Sequence, residues 1–284
     1  MSPWHDIRLG YDLLVRGEFN DGFRLLDRWR ELPERSSSRA PALPLRRWKG
    51  GPVPEGRLLV WGEEGYGDQI MYARFGRLAP VPDGVLWMSP PPLVRLFREC
   101  GGFEVSATDQ PVRLDNIASY CPSSALPLAF DLSAGIPNLP YFTPPPAKDL
   151  GARIGVVTSG NPKHANDTRR SLDPASAARL MSLRGAISLQ PWDTGAQDFY
   201  ETAQIIAGLQ LVISVDTAIA HLAGAMGCPV WILVTHHPDW RWGSDGETSL
   251  WYPSARLFRQ READTWHHAL DEVEAALELA IAPY

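Results

Sequence analysis

The chain is short of several things, and each shortage closes off a class of function. Of its 284 residues only three are cysteine. Cys100, Cys121 and Cys228 are widely spaced, with no Cys-x-x-Cys pair to hold zinc and no pattern that suggests a disulfide framework. A reducing, cytoplasmic setting is expected, and no metal site. Positive charge is also in deficit, with 27 Lys and Arg against 33 Asp and Glu and a formal net charge of −6. Nucleic acid is therefore not the expected partner, because neutralisation of phosphates dominates such binding. No apolar run approaches the roughly 18 residues that a membrane span needs. The start, Met1 to Asp6, lacks the basic and apolar regions of a secretory signal.

Missing motifs narrow the chemistry further. There is no Gly-x-x-x-x-Gly-Lys-[Ser/Thr], which argues against a P-loop nucleotidase. Gly62, Gly65 and Gly67 do not fit Gly-x-Gly-x-x-Gly, and the following strand ends in Trp87-Met88-Ser89 with no acid to hold a ribose. A nicotinamide enzyme is disfavoured, and no cofactor is expected. Neither a Gly-x-Ser-x-Gly elbow nor His-Glu-x-x-His occurs, so the hydrolase and metalloprotease readings fall as well.

What is present is an alternating pattern. Residues 6–31 read as a helical hairpin, with Ile7, Tyr11, Leu14 and Val15 on one stripe and Phe19, Phe23, Leu26 and Trp29 on the next. A linker rich in Pro, Ser, Arg and Gly runs from Pro33 to Pro54. A first β/α block follows: a strand at Arg57–Trp61, a glycine-rich turn to Asp68, a helix with Ile70, Met71, Phe75 and Leu78 inward, a strand at Val85–Met88 and a helix at 90–100. Short strands are expected near 103–105 and 117–120. A second block begins at Arg153–Val157, with strands at 186–189, 211–215 and 230–234 and helices near 173–183, 198–208 and 217–227. Asp264 is expected to cap a last helix, whose stripe is Trp266, Leu270, Val273, Leu277 and Ala280. Such alternation implies parallel sheets, and two blocks imply two Rossmann-like domains.

The stretch Val212–Gly227 is the most informative. A buried β-branched run ends in Asp216-Thr217 and a helix begins at once, with Ile219, Leu222, Ala223 and Met226 at the spacing of a buried face. The first amides of that helix have no intrahelical partner, and with the helix dipole they form a ready site for a phosphate. Either Asp216 or Thr217 would be the N-cap, and such a cap can equally serve the helix alone. Eleven tryptophans add to the picture. Trp48, Trp61, Trp192, Trp240, Trp242 and Trp251 lie in polar surroundings, where an indole can stack on a sugar or base; most are expected to pack the core or a domain seam.

Several segments together resemble a known family. Leu59 to Ile70 is similar to the opening strand-turn-helix of heptosyltransferase-like enzymes (glycosyltransferase family 9). More closely, it resembles the bacterial glycosyltransferase domains that follow tetratricopeptide repeats (TPR). Gly160–Ser171, Ser214–Gly227, Pro238–Trp242 and Trp251–Gln260 fit that second group, in the right order. The resemblance implies an α/β fold of GT-B type: two Rossmann-like domains facing across a cleft, with a short N-terminal TPR-like helical hairpin. The expected divisions are a hairpin and linker at 1–50, an acceptor domain at 51–149 and a donor domain at 150–284. The implied partners are a nucleotide-sugar donor and a protein or glycan acceptor, with flagellin or another surface protein as one candidate. Two departures stand out: a single repeat-like hairpin in place of a long array, and Val156-Val157-Thr158-Ser159-Gly160 where the family's strand ends in Trp-Ala-Gly.

By that resemblance Asp68 matches the position proposed as general base, where a carboxylate takes the proton of an attacking hydroxyl. The same carboxylate would also suit the first turn of a helix. Asp216 resembles the acid that contacts donor-sugar hydroxyls. From the residues themselves, Lys163, Arg169 and Arg170 form a basic cluster that would neutralise a departing diphosphate without a metal. Asn161 and His164 share that loop. Thr217 and Ala218 would offer a hydroxyl and amides to the diphosphate. His221 lies one helical turn beyond Thr217 and is either a donor contact or, as the preferred reading, a core histidine. Gln190 ends a strand ahead of Trp192 and would frame the nucleotide. Gly65, Gly67, Trp192, Asp239, Trp240 and Trp242 are expected to line the cleft. The leading expectation is an inverting, metal-independent glycosyltransferase. Its alternatives are a GT-B sugar-nucleotide epimerase or hydrolase and a non-catalytic nucleotide-sugar-binding scaffold.

Overall fold

The computed structural model describes residues 2–33, 41–53, 55–164, 166–263 and 265–281. Asp264, the side chain of Ala280 and parts of the 33–54 linker lie outside them. Helices α1 (Pro3–Val15) and α2 (Phe19–Leu26) pack antiparallel and are followed by a 3₁₀ turn at Asp27–Glu31. The first block then gives β1 (Arg57–Trp61), α3 (Tyr66–Leu78), β2 (Val85–Ser89), α4 (Pro91–Glu99), β3 (Glu104–Ala107), β4 (Ile117–Pro122) and a 3₁₀ turn at Ser123–Ala129. The second gives β5 (Ile154–Val157), α5 (Asp167–Arg170), α6 (Pro174–Met181), β6 (Ala186–Ser188), α7 (Pro191–Thr194), α8 (Phe199–Ala207), β7 (Leu211–Val215), α9 (Ala218–Ala225), β8 (Val230–Val234), a 3₁₀ turn at Trp240–Trp242, β9 (Ala255–Arg259) and α10 (His267–Ile281).

The strands form two sheets, β3-β2-β1-β4 and β6-β5-β7-β8-β9, parallel throughout. The apolar runs Leu58-Leu59-Val60 and Leu211–Val215 are buried along their length, as parallel strands covered on both faces must be. Strand order reverses beside β1 in one sheet and beside β5 in the other, and crevices at such points are where α/β proteins bind ligands. The turn after β1 leads to Asp68. The loops after β5 and β7 carry the basic cluster and Asp216.

Some expectations need correcting. Tyr11 and Leu78 are substantially exposed, because each falls on the outer edge of its helix. Strand β9 was not read from the sequence. It pairs with β8 from Val230–Ala255 to Val234–Arg259 and closes the second sheet. The two blocks meet along α3 against α9 and α4 against α8. The buried guanidinium of Arg74 crosses this seam, donating from Nη1 to the carbonyls of Trp251 and Pro137, both at 2.9 Å. Rings of Tyr141, Trp251 and Tyr252 surround it. Its charge is met by carbonyls and π-faces, and among the described residues no carboxylate pairs with it. Among the described residues no helix is long and apolar enough to cross a membrane.

Candidate active site

Strand β1 ends in Gly62, and the chain turns through Glu63-Glu64-Gly65 into α3, with Gly65 as N-cap. Asp68, at the third helical position, reaches back so that its Oδ2 accepts the Gly65 N–H at 3.0 Å. That is the carboxylate half of a capping box, and it fixes one oxygen of the side chain. The other oxygen, Oδ1, is held across the seam by Arg241 Nη2. Arg241 also donates from Nη1 to Asp239 Oδ1 at 2.6 Å, and its guanidinium lies 4.4 Å above the Trp240 ring. Burial works against the Arg241 charge, but Asp239, Asp68 and Asp216 outweigh it and hold the group firmly protonated.

Asp216 stands at the end of β7. Burial above all, and then the charge of Asp239, push its carboxyl up to about 6, with Arg241 and Arg170 restraining the rise. Arg170 anchors the basic loop here: its Nη1 donates to the Asp216 carbonyl at 2.9 Å and its Nε to Asp167 at 3.2 Å. Thr217 is the N-cap residue of α9 but makes no side-chain cap; its hydroxyl shares a 3.1 Å hydrogen bond with Ser214. The first amides of α9 therefore have no side-chain acceptor from that residue.

His221 is a buried histidine, as preferred from the sequence. Its Nδ1 is 2.8 Å from the Tyr252 hydroxyl, its ring stacks on Trp242 at 5.2 Å, and its Nε2 faces Asp216 at 4.0 Å. Burial and the cations Arg241, Arg74 and Arg170 keep it neutral, with its pKa well below the usual range. A Cβ on Gly67 would come within 2.8 Å of His221 Cδ2 and 3.4 Å of the Ala218 Cα, so the start of α3 rests directly on the start of α9. This is the one place where side-chain absence is required for the two helix N-termini to meet.

The structure thus brings together Gly65, Gly67, Asp68, Arg170, Asp216, Thr217, Ala218, His221, Asp239 and Trp242. The others sit differently. Asn161, Lys163 and His164 are exposed on the loop after β5, where Asn161 Oδ1 accepts the Lys163 N–H, and Arg169 is exposed on α5. Gln190 is committed within the fold, donating to the carbonyl and hydroxyl of Ser159. Trp192 is exposed on α7. Trp240 packs edge-on against Phe23 and Trp251 and offers its ring face to the Arg241 guanidinium. Arg241 and Glu63 were not singled out in the sequence. Glu63 is fully buried, pairs with Arg30 through both oxygens, and fixes the turn that leads to Asp68. A groove of about 720 Å³ between α2, Arg47–Lys49 and the Ser123–Ala129 turn is lined by none of the candidate residues.

Known proteins bear on this arrangement. Residues 194–269 match the sequence model of glycosyltransferase family 9 (heptosyltransferase). Protein FlbA of Caulobacter vibrioides is 34% identical over 80 residues, which cover 28% of this chain and 13% of that protein. The structure of the dodecameric iron-containing heptosyltransferase TibC in complex with ADP-D-β-D-heptose is similar at 15% identity and a TM-score of 0.49, over 75% of this chain and 65% of that one. A family 9 glycosyl transferase from Veillonella parvula gives 10% identity and a TM-score of 0.47, over 84% of this chain and 92% of that one. The matched stretch holds β7, α9, β8, the Trp240–Trp242 turn and β9, the elements that carry Asp216, Thr217, His221 and Arg241. Residues 194–269, which hold the Ser214–Gly227, Pro238–Trp242 and Trp251–Gln260 segments, are the part of the chain that is similar to glycosyltransferase family 9 (heptosyltransferase).

Proposed function

We propose that this chain is an inverting, metal-independent glycosyltransferase of GT-B type that moves a sugar from a nucleotide-diphosphate sugar to an acceptor hydroxyl. The observation that carries the reading is the juxtaposition of two helix starts. Asp68 heads α3 in the first block, and the Asp216–Ala218 junction heads α9 in the second, with Gly67 packed on Ala218 and His221. A diphosphate on the amides of α9 would meet the positive end of the helix, with Arg170 beside it and the exposed side chains of Lys163 and Arg169 nearby in sequence. Asp216 would contact the donor sugar. Asp68 would take the proton from the acceptor hydroxyl as that oxygen attacks the anomeric carbon and the diphosphate departs. A single displacement needs one base and inverts the centre.

On this reading residues 1–50 are the TPR-like hairpin and its linker, 51–149 the acceptor side and 150–284 the donor side, with the cleft between them. Gln190 and Trp192 would border the nucleotide. The acceptor would be a glycan or a protein, flagellin or another surface protein among them, and the setting cytoplasmic. The test is thermal stabilisation by UDP, GDP, ADP, TDP and CMP and their common sugars, ADP-D-β-D-heptose included, with and without EDTA. A nucleotide at a hundred times its Kd adds about 2.7 kcal/mol. One hit that survives EDTA supports the reading. No shift with any member of the panel moves the weight to a scaffold.

A further inference from the structure

Arg241 sits where a cation has no need to be for folding alone. It is partly buried, its inaccessible Nε finds no acceptor among the described residues, and both terminal nitrogens are committed to carboxylates from different parts of the chain. Asp239 is two residues away, whereas Asp68 is 173 residues away on the other block. The ring of Trp240 fixes the plane of the guanidinium at 4.4 Å, and Trp240 is itself wedged by Phe23 and Trp251 at 5.7 and 5.6 Å. The fork therefore has a set direction. At its far end each oxygen of Asp68 has one fixed partner, Gly65 N–H on Oδ2 and Arg241 on Oδ1, which sets the plane of the carboxylate and leaves a lone pair on each oxygen for a proton. Asp239 shares the guanidinium with Asp68, one terminal nitrogen to each carboxylate, so the direction from which Asp68 is held is fixed by the nearby Asp239.

We propose that Arg241 is the positioning residue for Asp68: it reaches across from the second block and aims the carboxylate at the acceptor hydroxyl above the α9 junction. The inference rests on the reading of Asp68 as general base. It also explains why a charged residue lies within the aromatic run Trp240-Arg241-Trp242, where packing alone would favour an apolar one. A base misplaced by about 1 Å can cost roughly 100-fold in rate.

The test uses the full chain and the variants Arg241→Gln, Arg241→Lys, Asp68→Asn and the double variant Asp68→Asn/Arg241→Gln. Two quantities are read: ADP release from ADP-D-β-D-heptose, and the rate at which a water-soluble carbodiimide couples glycinamide to Asp68, located by peptide mass with exposed Asp193 as internal control. The expected result for Arg241→Gln is a loss of about 100-fold in kcat with donor affinity unchanged, and labelling of Asp68 several-fold faster than in the parent. Arg241→Lys keeps the charge but cannot bridge both carboxylates from a stacked plane, so it should recover only a small part of the rate, and the double variant should be no slower than Asp68→Asn. Labelling needs no turnover, so equal labelling of Asp68 in the parent and Arg241→Gln overturns the proposal whatever the chain transfers. Parental kcat in Arg241→Gln beside an inactive Asp68→Asn overturns the positioning role and leaves the base intact. Parental kcat in Asp68→Asn removes the base itself, and the proposal falls with it.

Discussion

Arg30 and Glu63 form a two-pronged ion pair, Nη1 to Oε1 at 2.8 Å and Nη2 to Oε2 at 2.6 Å, that ties the N-terminal helices to the turn ahead of Asp68. Ser124 adds a third contact to the same carboxylate at 2.8 Å, and Ser123 accepts the Glu63 N–H at 2.9 Å. Burial opposes the charge on Arg30, and Glu63 together with Asp27 overcomes it. Glu63→Gln would keep the shape and remove the charge, leaving Arg30 with Asp27 alone. Removing one partner of a buried pair costs about 3–5 kcal/mol, and the residual Asp27 contact puts this case near 3. In a chain of this size that is a Tm fall of roughly 6–12 °C. Calorimetry showing less than 2 °C would mean that the pair is structurally idle.

The reading of Asp68 as base makes a separable claim about binding and rate. Asp68→Asn keeps the Gly65 acceptor and the shape of the turn, so donor binding measured by thermal shift should be unchanged. The rate should fall by about 10²–10⁴, the usual worth of a positioned general base. A variant that loses donor affinity in proportion to rate would instead place Asp68 among the binding groups.

Two glycines three residues or fewer from Asp68 should behave differently. At Gly67 a methyl would meet His221 Cδ2 at 2.8 Å, and that ring is pinned by the Tyr252 hydroxyl and the Trp242 stack. It cannot give way without parting α3 from α9, so Gly67→Ala should cost about 1–3 kcal/mol and most of the turnover. At Gly65 the nearest atom is the Asp68 Oδ2 at 3.1 Å, and the backbone at φ −71° suits any residue. Gly65→Ala exchanges a good N-cap residue for a poor one and should cost about 0.5–1 kcal/mol, a Tm fall of roughly 1–4 °C, with α3 still seated on α9 and most of the turnover kept. Equal effects at the two positions would show that the α3–α9 contact does not govern the site.

What could be read in advance follows from how local each signal is. β1, β7 and β8 announced themselves because each is a near-continuous apolar run, and where Gly62 ends the first and Asp216 the second the same breaks pointed to Asp68 and Asp216. β9 was hidden, since Arg256 and Arg259 interrupt Ala255–Phe258 and its Pro-Ser entry reads as loop. Of the six tryptophans in polar sequence, Trp48, Trp240, Trp242 and Trp251 turned out to be buried, because their neighbours in space are aromatic even where their neighbours in sequence are not. The basic loop looked uniform, yet only Arg170 reaches the Asp216 carbonyl. Arg241 and Glu63 could not have been paired from the chain, because their partners lie 173 and 33 residues away and no local pattern encodes such a match.

Asp216 supplies a pH signature of its own. Its carboxyl is raised to about 6 in the folded chain, against roughly 3.9 when unfolded. The folded state therefore binds the extra proton between about pH 4 and pH 6, and the stability linked to this group is full below pH 4 and lost as pH rises through 6. Two units correspond to about 2–3 kcal/mol as an upper value. His221 runs the other way, since it is held neutral and its contribution is lost as pH falls below the unfolded value near 6.5. Whole-protein stability would mix the two, so the difference between Asp216→Asn and the parent is the quantity to follow. At pH 4 the parent carries a neutral acid and the two should unfold alike. By pH 6.5 the parent bears a partly buried charge, its side chain 23% exposed, and the Asn variant should be the more stable by at most about 2 kcal/mol. Denaturant unfolding at four pH values resolves this. A difference that stays flat from pH 4 to 6.5 would mean that Asp216 is already ionised throughout, and that its neighbours Arg241 and Arg170 outweigh its burial.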